Sequence, residues 1–244
     1  MEKLNTKEPL AVALVQAIHG GDLPELKRLL DEHPGIATVR LGDNSPGGMA
    51  RSLLHIATDW PGHYPDCAAT VRLLVAAGAD VNARFEGPHT ETPLHWAASS
   101  DDVEALDALL DAGADIEAPG AVIAGGTPLT DAVAFAQWQA AHRLVARSAK
   151  VSFADAAALG LLDRVAERFS GVPPAQDEID HAFWYACHGG QRETAEYLLG
   201  KDANPNWLPT WENLTPLDAA NRNNLPELVQ WLRSQGGKSA KPTE

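Results

Sequence analysis

The chain repeats itself. A Leu-His pair within a helical apolar pattern falls at Leu54-His55 and Leu94-His95, becomes Leu129-Thr130 and returns as Leu217-Asp218. More worn copies start at Leu14-Val15, Phe153-Ala154 and Phe183-Trp184. Two small or apolar residues follow each anchor, as in Ala97-Ala98 and Ala186-Cys187, where a first helix must pass close to its neighbours. A second apolar stretch then comes with helical spacing: Leu26, Leu29 and Leu30; Val71, Leu74 and Val75; Leu106, Leu109 and Leu110; Ala195, Leu198 and Leu199; Leu228 and Leu232. Gly78 and Gly113 stand where the second helix needs a residue that accepts a left-handed conformation. Asp80-Val-Asn82, Asp115-Ile-Glu117 and Asn204-Pro-Asn206 then turn the chain into a finger leading to the next unit.

One helix pair cannot bury its apolar face alone, so the pairs must stack into a quasi-one-dimensional core. The pattern predicts an all-α solenoid of about six to seven helix pairs with short β-hairpin fingers. Length alone would allow two globular domains. No linker-like break separates the repeats, so a single domain is expected over 1–237. Within it, 10–43 reads as an N-terminal cap, 52–125 as the strongest repeats, 126–206 as degenerate ones and 213–237 as the C-terminal cap. The tail 238–244 reads as disordered.

Nineteen Lys and Arg against 33 Asp and Glu give a net charge of −14. Such a surface repels phosphate backbones and anionic membranes, so neither nucleic acid nor a membrane is expected as a partner. Cys67 and Cys187 alone make no disulfide framework, and Met1-Glu-Lys-Leu-Asn-Thr-Lys-Glu8 lacks the apolar core of a signal peptide. A reducing, cytoplasmic setting follows as the expectation.

Thr92-Pro-Leu-His-Trp-Ala-Ala98 followed by Gly113-Ala-Asp-Ile116 resembles one ankyrin repeat, and the resemblance extends in weaker form over nearly the whole chain. Ser52-Leu-Leu-His-Ile-Ala-Thr-Asp-Trp-Pro-Gly-His63, Pro88-His-Thr-Glu-Thr-Pro-Leu-His95 and Phe183-Trp-Tyr-Ala-Cys-His-Gly-Gly190 look like a bacterial group of single-domain ankyrin proteins. The resemblance implies recognition of a partner across finger tips and a concave groove lined by the first helices. It also implies that His55 and His95 tie neighbouring hairpins together by hydrogen bonds.

Departures from the repeat mark candidate sites. Leu54 to Leu94 spans 40 residues, against ~33 in a regular repeat, because Trp60-Pro-Gly-His-Tyr-Pro-Asp66 expands the turn between two helices. From Leu129 to Phe153 the spacing falls to 24, and Lys150-Val-Ser152 leaves almost no finger. The fingers around it are apolar or aromatic: Phe85 with His89, Gly120-Ala-Val-Ile-Ala124, and Trp207 with Trp211. Counting from each anchor puts Trp96, Asp131, Asp155 and Tyr185 at one equivalent position facing the groove. The variable pair further along becomes Asp59-Trp60, Ser99-Ser100, Ala134-Phe135 and His188-Gly189. Together with Trp184, these residues predict a binding groove with aromatic walls and carboxylates at its centre.

Two carboxylates can do acid and base work where burial drives their pKa values apart, and Asp131, Asp155 and His188 are the candidates for that role. No four-ligand zinc spacing, Gly-rich phosphate loop or nucleophile elbow is present, so no metal or cofactor is expected. The preferred reading is a non-catalytic module that binds a protein or peptide partner, basic to match the groove. The alternative is a small hydrophobic ligand, bound or turned over in an aromatic pocket.

Overall fold

The computed structural model describes residues 3–43 and 47–240. Two compact units, 1–149 and 150–244, make up the chain. In the first, helices pair in sequence: α1 (Pro9–Gly20) with α2 (Leu23–Glu32), α3 (Leu53–Ala57) with α4 (Cys67–Ala76), α5 (Pro93–Ser99) with α6 (Val103–Asp111), and α7 (Pro128–Ala134) with α8 (Trp138–Ala146). In the second, α9 (Phe153–Ala158) pairs with α10 (Leu162–Glu167), α11 (Gln176–His188) with α12 (Arg192–Leu199), and α13 (Pro216–Arg222) with α14 (Pro226–Ser234).

Most first helices start by one device. Ser52, Thr92, Thr127, Ser152 and Thr215 are N-caps, each in a reciprocal capping box with the residue three positions on: His55, His95, Thr130, Asp155 and Asp218. The two histidines reach further. His55 Nδ1 accepts from the Ser52 N–H, leaving Nε2 to donate to the Glu91 carbonyl at 3.1 Å; His95 repeats this with Thr92 and the Gly126 carbonyl. Trp184 does the same work in α11, its indole N–H donating to the Leu214 carbonyl at 2.8 Å. A ring at this position joins its helix to the strand of backbone that opens the next pair.

Because both histidines are buried, they are held neutral: desolvation lowers His55 to about 3 and His95 to about 4. An unfolded histidine titrates near ~6.5. Between those values the unfolded chain binds more protons than the folded one, so stability falls as pH drops from 6.5 toward 4. His55→Gln is expected to flatten that loss, read as the ratio of urea midpoints at pH 5 and pH 7. An unchanged ratio would sink the assignment.

The first unit buries Leu14, Ile18 and Leu26, then Leu53, Leu54 and Leu74, then Leu94, Leu106 and Leu109. In the second, Phe183 lies at the centre with Val165, Leu198, Leu217, Leu228 and Leu232 around it. Gly78 and Gly113 adopt the left-handed conformation, at φ 97° and 93°. Among the described residues no helix is long and apolar enough to cross a membrane, and Cys67 and Cys187 are buried free thiols.

Two expectations, the fingers and the tail, are modified by the structure. The only sheet among the described residues has three strands: β1 (Lys3–Asn5) runs parallel to β2 (Arg40–Gly42), which pairs antiparallel with β3 (Ala50–Ser52). Elsewhere among the described residues the fingers form no strand pairs, although backbone bonds close two of them, Phe85 N–H to the Glu91 carbonyl at 2.8 Å and Ala121 N–H to the Gly126 carbonyl at 3.0 Å. Asp80, Asp115 and Asn204 each accept from the N–H two residues on, at 2.9–3.0 Å, and this local side-chain bond fixes the turn that follows each second helix. Of the tail expected to be disordered, 238–240 are held in place: Lys238 accepts from Thr215 Oγ1 and the Ala240 N–H donates to Asp218, both at 2.7 Å. The rest of that expectation, 241–244, lies outside the described residues.

Candidate functional site

The C-terminal ends of α5 and α7 and the long turn after α3 enclose an open cleft of about 440 Å³ in the first unit. The expanded turn makes one wall. Its His63 N–H donates to Asp102 at 2.7 Å and the His63 ring pairs with the Ser100 carbonyl at 3.0 Å, so the turn is pinned to the end of α5 and the start of α6. Trp60, on that turn, is 80% exposed. Asp59 beside it is held by Arg51 and by the Trp60 N–H.

Trp96 and Ser99 of α5, with Ser100 at its cap, form the floor, and Phe135 and Gln137 at the end of α7 form the opposite wall. Phe135 is largely exposed, as is Val122 on the loop that precedes α7. Six residues singled out in the sequence therefore meet in one cleft: Asp59, Trp60, Trp96, Ser99, Ser100 and Phe135.

Sequence reasoning missed Glu91, which also lines the cleft. It is only 7% exposed, and its Oε2 accepts from the Trp96 indole N–H at 3.3 Å. Desolvation raises its pKa. Behind it, Asp131 is fully buried and neither carboxyl oxygen has a hydrogen-bond partner. The Ile123 backbone and the Glu91 carboxyl act on Asp131 without meeting hydrogen-bond geometry. Burial, with the Glu91 charge added, pushes Asp131 up to about 8, so it is mostly protonated at neutral pH.

Asp131 thus does not face the groove as its offset from Leu129 predicted. At the equivalent position Ala219 and Ile56 fill the same interior with apolar atoms, which explains why an acid there is desolvated. Phe85 and His89 lie to one side. Phe85 packs on Trp96 at 5.5 Å between ring centres and lines a smaller cleft with Met49 and Arg51, while half-buried His89 acts on Glu91.

In the second unit an aromatic cluster gathers around α11. Trp211, 49% exposed, lies 5.1 Å from His181, 5.9 Å from Trp184 and 6.4 Å from Tyr185, and Trp207 packs on it at 5.9 Å. Arg222 sits over the Trp184 ring at 5.8 Å and is ion-paired with Glu212. Burial pushes the Tyr185 hydroxyl up to about 12.

Two assigned roles fail here. Asp155 is a helix cap: its Oδ2 accepts from the Ser152 hydroxyl at 2.6 Å and from the Ser152 N–H at 3.1 Å. Counted from the cap, Phe153 stands where α5 and α7 have Pro93 and Pro128, so Asp155 is the equivalent of His95 and Thr130 and counting from Phe153 misplaced it by one. His188 is buried and bound, with Asn223 reaching its Nδ1 at 2.9 Å and its carbonyl at 2.7 Å, and Arg222 at 3.3 Å. That ring is a structural link rather than an available base. Among the described residues no group of three His, Cys, Asp or Glu could hold a metal ion.

Capped helix pairs joined by buried rings define a helical-repeat protein. Residues 66–155 match the family model for ankyrin repeats, in three copies. No curated protein matches the chain.

Proposed function

We propose that this chain is a non-catalytic recognition module that holds a protein or peptide segment in the cleft of its first unit. In this reading the repeat array continues beyond the matched residues in both directions, one repeat for each helix pair. The observation that carries the proposal is the rim: Trp60 at 80% exposed, with Phe135 and Val122 also exposed, surrounds an open concave surface. Large apolar side chains gathered around a concavity mark contact surfaces. The acidic lining favours a basic partner, in a soluble, cytoplasmic setting.

The test is selection of random dodecapeptides displayed against the whole chain. Bound peptides are expected to lose about tenfold in affinity for Trp60→Ala, as a central aromatic contact would. No enrichment, or binders indifferent to Trp60, would overturn the proposal.

The raised pKa of Asp131 favours a second reading, acid-base turnover of a small hydrophobic substrate. Against it, Asp131 exposes no surface, so a molecule in the cleft meets Glu91 first. Turnover that Asp131→Asn abolishes without weakening binding would reverse the order of the two readings.

A further inference from the structure

The acidic wall of the cleft is electrostatically incomplete. None of the residues lining it is cationic. Arg51, which reaches Asp59 of the lining, is committed to it. Glu91 is left nearly buried with one oxygen on the Trp96 indole, and directly behind it stands Asp131 with both oxygens unpartnered. Buried carboxyl groups are costly unless paired. Glu91, facing the open aromatic cleft with Asp131 buried behind it, leaves room there for a positive charge.

We propose, resting on the recognition reading above, that the partner's anchor is a single arginine side chain, its guanidinium stacked on Trp60 and paired with Glu91. Arginine fits better than lysine because its planar group stacks on aromatic faces, takes a carboxylate through two parallel hydrogen bonds and is more weakly hydrated. The chain builds such a triplet for itself in its second unit, where Arg222 lies over Trp184 and pairs with Glu212. Ser99, Ser100 and Gln137 line the cleft as hydrogen-bonding neighbours for the rest of the segment.

A cation at Glu91 also favours the ionised form of Asp131 behind it. Binding then releases a proton, and affinity for the arginine segment rises as pH approaches the Asp131 pKa of about 8. Glu91 is the charge that acts on Asp131, while α5 faces it with neutral Trp96 and the buried, neutral His95. The charged groups of α8 are exposed: His142, and Arg143, which pairs with Asp107. His89 acts on Glu91, and the Arg51–Asp59 pair completes the charged surroundings.

The test uses the Trp60-dependent dodecapeptides on the whole chain. They are expected to share an arginine whose replacement by Gln costs about tenfold, with Lys intermediate. Glu91→Gln should weaken the arginine peptide by a similar factor and leave its Arg→Gln partner unchanged, a coupling that a general loss of folding cannot imitate. Between pH 6 and 9 the arginine peptide should tighten severalfold on the native chain, whereas Asp131→Asn should show no such trend. Trp60-dependent binders without an arginine, arginine peptides uncoupled from Glu91, or affinity flat across that pH range would overturn the anchor and leave the recognition reading standing. Absence of any Trp60-dependent binder would overturn both.

Discussion

Truncation after Asn213 is expected to unfold residues 150–213, not merely to trim an end. The second unit holds three helix pairs, and the last of them supplies Leu217, Leu228 and Leu232 to the core around Phe183 and Leu198. A stack needs ~3 repeats to bury a continuous core, and truncation leaves two. Phe183 is fully buried, and Phe183→Ala alone should cost ~3–5 kcal/mol, against a total stability of ~5–15 kcal/mol for a typical domain. Removal of α13 and α14 takes away more than that. Limited proteolysis should then cut α11 and α12 rapidly while α3 to α6 stay protected. Native thermal stability in the truncated chain would contradict the role given to these three leucines.

The second large effect comes from Asp131. Its folded pKa of about 8 lies above the unfolded value near ~3.9, so the folded chain binds the proton more tightly. Stability from this group is therefore complete at low pH and is lost as pH rises between those values. A tenfold difference in proton affinity is worth ~1.4 kcal/mol, and the gap between the folded and unfolded values puts the penalty at pH 9 on the order of several kcal/mol. His55 and His95 act with the opposite sign between pH 4 and 6.5, so the difference between variant and native chain isolates the aspartate. Asp131→Asn should gain most at pH 9 and little at pH 4, read from urea midpoints across that range. A difference that stays constant with pH would mean Asp131 ionises freely in the folded protein.

The roles of His55 and His95 were legible through the resemblance to the ankyrin motif; the cap and the histidine three residues on are local, whereas the carbonyls that receive Nε2 lie 36 and 31 residues away. The cleft residues just beyond α3 and α7 and those of α5 were legible from their offsets to Leu54, Leu129 and Leu94, although the same count put buried Asp131 in the groove. The count failed at α9, where Phe153 is the first helical residue rather than the anchor and Asp155 falls at the capping position of His95 and Thr130. Glu91 was not legible. In sequence it is an acid before Thr-Pro-Leu-His, and its burial depends on an indole N–H five residues away and a carboxyl forty residues away. Strand β1 was missed because Lys3-Leu-Asn5 is too short to show alternation, and only its pairing with Arg40–Gly42 makes it a strand. His188 read as reactive until Asn223 and Arg222 were seen to hold it.

The measurement that bears most directly on the recognition site is the indole N–H spectrum of the whole chain, with its seven tryptophans resolved, during titration with a selected dodecapeptide. Binding at the cleft predicts that the Trp60 and Trp96 resonances move first and furthest, the latter because its N–H is bonded to Glu91. Shifts confined to Trp184, Trp207 and Trp211, with Trp60 and Trp96 still, would place recognition on the second unit and contradict the assignment.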